Sequence, residues 1–118
     1  MTSGTALCLQ QWNKGNTSFC HSLIKWQSAN NYFNYKSTSS HGANLYQHYY
    51  ASQAMINTQG KEWHSYNTKT IFHIAEHQNK DGSWSKPSEG SSGMLSDHYA
   101  TCLATLIMEV YYRFIPTQ

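Results

Sequence analysis

Residues Gln78-Asn79-Lys80-Asp81-Gly82-Ser83-Trp84 stand between two segments with helical spacing, so they must serve as a joint. Glycine permits a tight turn, and an indole can cover the joint with apolar surface. A side-chain amide at this spacing can bond the free backbone groups at a helix end. The segment after the joint carries Tyr99, Cys102, Leu103, Leu106, Ile107, Val110, Tyr111 and Phe114 on one stripe. That period is helical, and Pro116 stops it.

Four further helices follow from the same logic. The first spans roughly 3–13 with Ala6, Leu7, Leu9 and Trp12, and Gly15 is expected as its left-handed C-cap. Thr17 or Ser18 caps a second helix bearing Phe19, Leu23, Ile24 and Trp26. Residues 28–44 read as loop, because their Asn, Ser and Thr side chains bond the backbone locally. A third helix covers 45–58 with Leu45, Tyr46, Tyr49, Tyr50, Met55 and Ile56, closed by Gly60. Trp63 and Tyr66 are expected in a connection, with Asn67 capping a fourth helix over 68–77. Ser96 or Asp97 caps the fifth, and Cys102 is expected to be buried on its apolar face.

No segment alternates with the period of a strand, so the fold class is all-α. Helices one, three and five recur at a spacing of about fifty residues, which argues for stacked antiparallel hairpins in one domain over 1–118.

Composition narrows the function. Charged residues make up 12% of the 118, about half the usual share, and the net charge is +2 without a Lys or Arg run. Nucleic-acid binding therefore has no electrostatic footprint. Cys8, Cys20 and Cys102 are widely spaced, show no C-x-x-C pattern and do not read as a disulfide framework, which leaves at most a single Cys8–Cys20 bridge. The longest apolar window, 103–112, is too short to span a membrane. The first nine residues lack the basic n-region of a signal peptide. The compartment is left open.

The joint residues Gln78, Gly82 and Trp84 resemble the QW motif of squalene–hopene cyclases and related repeat proteins. Residues 49–55 and 101–114 resemble the inner helices of that family, and 1–9 resemble the start of an earlier one. The resemblance implies an α/α toroid, with helices one, three and five inner and two and four outer. These five would form an arc, so a segment of a longer toroid is expected, or a chain that associates with copies or with a partner helical domain. By the same resemblance Tyr49, Tyr50, Asp97, His98 and Tyr99 would face a cavity. The family's D-x-D-D acid has no counterpart here, because Asp occurs only at 81 and 97. The related protein prenyltransferases hold zinc with Asp, Cys and His, and Ala100 stands where the zinc histidine would be.

Two constellations carry chemistry. His73-Ile74-Ala75-Glu76-His77 fits H-x-x-E-H, in which histidines at i and i+4 share a helix face and reach one Zn²⁺ while Glu76 acts as base. A third ligand would come from Glu89, His98 or Glu109. The plainer account is the solvent face of an outer helix, which leaves no metal and no cofactor. The second constellation is Tyr46, Tyr49, Tyr50, Tyr99, Tyr111 and Tyr112, rings able to stabilise a carbocation or simply to pack between helices. No complete catalytic set is present. The chain reads as a non-catalytic module for self-association, partner binding or an apolar small molecule. The alternatives are part of a terpene cyclase-like enzyme whose acid lies outside this chain, or a small zinc hydrolase.

Overall fold

A computed structural model describes residues 2–37, 43–87 and 96–113, with backbone alone for 111–113. The described residues form α1 (Thr2–Gln11), α2 (Ser18–Asn30), α3 (Leu45–Ile56), α4 (Lys61–Glu76) and α5 (Asp97–Arg113), with no strand among them. α3 packs against both α1 and α5, and α2 packs against α4. The helices thus form two rows, α1–α3–α5 and α2–α4, bridged by α1 against α2 and α3 against α4.

α3 buries seven of its twelve residues: Leu45, His48, Ala51, Ser52, Ala54, Met55 and Ile56. Ala51 and Ala54 share one core cluster with Ala6 of α1, Ile24 of α2, Tyr66 of α4 and Val110 of α5. Small residues at a helix contact let axes approach to the short end of the usual 8–10 Å range. Asn44 caps α3, its side chain accepting from the Gln47 amide at 3.0 Å. At the other end, Gln10 donates to the Ala54 carbonyl at 2.8 Å and accepts from the Asn57 amide at 3.1 Å. An amide from α1 thereby satisfies a carbonyl in the last turn of α3.

Several boundaries differ from the sequence expectations. α4 begins at Lys61, not 68, with Gly60 at the N-cap position. Trp63, Tyr66, Thr70 and Ile74 are its buried stripe, so Trp63 and Tyr66 belong to the helix and not to a connection. Their three- and four-residue spacing outweighs the capping chemistry of Asn67, which sits mid-helix. The left-handed residue after α1 is Asn13 (φ 58), and the one after α3 is Gln59 (φ 51), so neither Gly15 nor Gly60 plays that part. Asn tolerates this conformation through its short polar side chain. Thr17 caps α2, accepting from Cys20 N at 3.3 Å. α2 turns Cys20, Ile24, Gln27 and Ser28 inward and leaves Phe19 and Trp26 exposed. On α5 the buried stripe is Ala100, Leu103, Ala104, Ile107 and Val110, while Cys102 is exposed. The side chains of Tyr111 and Tyr112, along with Phe114, Pro116 and Glu89, lie outside the described residues.

The loop after α2 is packed. Phe33 is fully buried with Leu45, Ile74, Trp84, Leu103 and Ile107. Its backbone N–H donates to the Thr70 hydroxyl at 3.3 Å.

The joint binds α4 to α5 through backbone and indole. Gly82 adopts φ +88, and its N–H donates to the Asn79 carbonyl at 2.9 Å. Gln78 closes the turn by donating to the Gly82 carbonyl at 2.9 Å. The helix-end carbonyl, that of Ile74, receives the buried Trp84 indole N–H at 2.7 Å. Trp84 N–H also donates to the Thr101 hydroxyl of α5 at 2.9 Å. Lys86 N–H donates to the Asp97 carboxylate at 2.8 Å, and Ser96 Oγ accepts from Tyr99 N at 3.2 Å.

Two consequences can be measured. Trp84→Phe keeps a ring but removes the donor to Ile74 and leaves space beside it. It should cost about 1–3 kcal/mol in urea unfolding, and Gly82→Ala about 1 kcal/mol through its positive φ. A loss at Trp84 within ~0.5 kcal/mol, the range of ordinary surface changes, would contradict the bracing role. Burial raises the Tyr35 phenol from 10.0 to about 12 and pushes the fully buried Tyr66 phenol up as well. The folded chain keeps these protons after the unfolded chain has lost its own. The stability they contribute is present below pH about 10 and is lost as pH rises from there toward about 12. Absorbance titration at 295 nm should show a late-ionising fraction that Tyr35→Phe and Tyr66→Phe each diminish. An unchanged late fraction in both variants would refute the assignment.

Candidate functional site

A groove of about 510 Å³ opens between the first and third helices. α1 contributes Ser3, Gly4, Thr5 and Cys8, and α3 contributes Tyr46, Gln47 and Tyr50. Its lining is mainly carbon. The helical period explains the set, since residues three and four apart stack along one face. At Gly4 a Cβ would meet nothing within 4 Å, so the missing side chain is part of the open space.

Tyr46 and Tyr50 wall one side of the groove. The Tyr46 and Tyr50 rings meet edge-to-face at 5.1 Å and 81°, with their hydroxyls 3.4 Å apart. The Tyr49 ring lies 5.4 Å from that of Tyr50. The hydrogen bond with Tyr46 is the main cause holding the Tyr50 phenol above its usual value. The neighbouring phenols of Tyr46, Tyr49 and Tyr99 add to it. The Tyr50 phenol therefore stays neutral near pH 7, presenting an aromatic face and a hydroxyl tip.

The residues expected to face a cavity are divided. Tyr50 lines the groove, and Tyr99 of α5 lies close enough to act on it electrostatically. Tyr49 is half-buried against the core that contains Phe33 and Leu45. Asp97 braces the joint through Lys86 N–H, and exposed His98 sits with Nε2 3.9 Å from Cys102 Sγ. Ser3, Gly4, Thr5 and Cys8 were not singled out in the sequence. α1 has little amphipathic contrast, so nothing marks which of its faces is open.

The H-x-x-E-H constellation lies at the far end of α4. One ligand atom from each of His73, Glu76 and His77 lies within 4.8 Å of the others. His77 occupies the C-cap, and its Nδ1 is 2.8 Å from the His73 carbonyl oxygen. A carbonyl only accepts, so Nδ1 carries the proton and the lone pair of the neutral ring is on Nε2. Tyr35 stacks on His77 at 4.6 Å and 16°, and Tyr32 on His73 at 5.9 Å and 20°. His73 Nδ1 is buried with no hydrogen-bond partner among the described residues. Burial first, then the charge of His77, lowers the His73 pKa, with Glu76 opposing. The two stacking tyrosines come from the loop that carried no periodic signal.

No protein-family model, curated protein or solved structure matches this chain.

Proposed function

We propose that this chain is a non-catalytic helical-repeat module, an arc in the manner of the squalene-cyclase-like toroids. In this reading the α1–α3 groove receives an apolar or aromatic group from a small ligand or partner protein. The groove itself carries the proposal: a concave, mainly apolar opening walled by tyrosines that contact one another is the usual form of such a site. Rings held against one another lose little freedom on binding, and their hydroxyl tips can orient a ligand at the rim.

Two further observations support this reading. The two aspartates are occupied elsewhere. Asp81 accepts from the Ser83 hydroxyl and N–H, which holds its carboxyl below the usual range, and Asp97 braces Lys86. A general acid needs the opposite, a carboxyl that keeps its proton near neutral pH. The surface also exposes large aromatic side chains, among them Trp12 at 77%, Phe19 at 60% and Phe72 at 61%. Aromatic residues are enriched where proteins meet, so association with copies or a helical partner is consistent with this surface. No helix of the described residues is long and apolar enough to cross a membrane.

Gly4→Leu fills the groove without disturbing a packed neighbour, and it replaces a poor helix former with a good one. The unmodified chain should bind the apolar dye anilinonaphthalene sulfonate saturably. Gly4→Leu should weaken that binding by at least about tenfold, the ratio that ~1.4 kcal/mol carries, with an unchanged or higher melting temperature. Equal dye affinity in both proteins would contradict the groove assignment. Light scattering that found a monomer at every concentration would remove self-association.

A further inference from the structure

We propose that His73, Glu76 and His77 form a binding site for a first-row divalent transition ion, Zn²⁺ or Cu²⁺, independent of the α1–α3 groove. Four observations converge on it. The two imidazoles stand one turn apart at the end of α4, and the carboxylate between them completes a set within 4.8 Å. Ligands held at about 2.0–2.1 Å around a tetrahedral ion stand roughly 3.3 Å apart. Binding an ion therefore requires the exposed Glu76 side chain to rotate and the two rings to draw together from their present spacing. Second, His77 already has the outer bond that ligating histidines make: its Nδ1–H donates to the His73 carbonyl at 2.8 Å and lies 4.0 Å from Glu76 Oε2, and the lone pair for a metal is on Nε2.

Third, aromatic side chains flank both rings from outside. Tyr35 covers one face of His77, Tyr32 stacks on His73, and Phe72 meets His73 edge-on at 5.7 Å. Fourth, His73 Nδ1 is buried without a partner, an uncompensated polar atom next to the set. Two nitrogens and one carboxylate select borderline ions over Mg²⁺ or Ca²⁺, which prefer oxygen. Lys36 is a cationic neighbour of His73 and opposes an incoming cation, so only an ion that gains from the imidazole nitrogens overcomes it. Three protein ligands leave one tetrahedral position open to water or to a group from a partner.

The sequence offered Glu89, His98 and Glu109 as third ligand and kept Glu76 as a base. The geometry instead makes Glu76 the third ligand. The competing site is His98 with Cys102, whose Sγ and Nε2 are 3.9 Å apart.

Calorimetric titration of the metal-free chain, reduced beforehand and then freed of reductant, with ZnCl₂, CuCl₂ and MgCl₂ tests this. One equivalent of Zn²⁺ or Cu²⁺ should bind, Mg²⁺ should not, and the melting temperature should rise with Zn²⁺. His73→Ala and His77→Ala should each weaken binding by more than about tenfold, since even outer-shell changes reach that size. Glu76→Gln, at an exposed position, should weaken it similarly and covers the case in which a histidine variant does not fold. Cys102→Ser should leave binding unchanged. Loss of binding in Cys102→Ser, no response to Glu76→Gln, or equal uptake of Mg²⁺ would overturn the site.

Discussion

The whole arrangement depends on α3 being covered on most of its circumference. It meets α1, α5 and α4, and a helix so enclosed cannot carry large side chains everywhere. Ala51, Ser52 and Ala54 make room for its neighbours, while Leu45, Met55 and Ile56 fill the remaining volume. Enclosure also imposes a polar condition. His48 is completely buried, and an unpartnered imidazole there would cost about 1–3 kcal/mol. Its Nδ1 is paired with the Tyr66 hydroxyl at 2.7 Å, and that hydroxyl also interacts with Ser52 and Thr70. Thr70 in turn accepts from Phe33 N–H. One polar chain thus runs from α3 through α4 to the loop after α2.

The groove and the histidine cluster both follow from this packing. α1 lies against α3 through small residues, and Gly4 leaves a gap that the tyrosines of α3 overlook. At the opposite row, Phe33 anchors its loop in the core, which sets Tyr32 and Tyr35 over the two histidines at the end of α4. Both sites are walled by aromatic rings and contain few charges, consistent with a chain that is 12% charged. The proposed roles in binding and association rest on these two surfaces.

Much of the fold was legible because apolar spacing survives translation into packing. Leu103, Ile107 and Val110 mark the buried face of α5, and Thr17 announces the start of α2. What failed were places where two local signals competed. Asn67 has the chemistry of a cap, yet Trp63 and Tyr66 extend the stripe of Thr70 and Ile74 backwards by two turns. Cys102 sits beside the stripe of α5, and the folded packing leaves it facing outward. Residues 31–37 have no period at all, so the burial of Phe33 and the stacking of Tyr32 and Tyr35 depend on distant contacts. The H-x-x-E-H pattern was visible, but its stacking partners and the tautomer of His77 depend on the folded backbone.

Native-state hydrogen exchange tests the central position of α3 most directly. Amides of Ala51–Met55 should exchange only through global unfolding, with a free energy equal to that from denaturant melts, whereas α1 amides should open at lower cost. Exchange of α3 at or below the free energy of α1 would contradict an architecture built around the third helix.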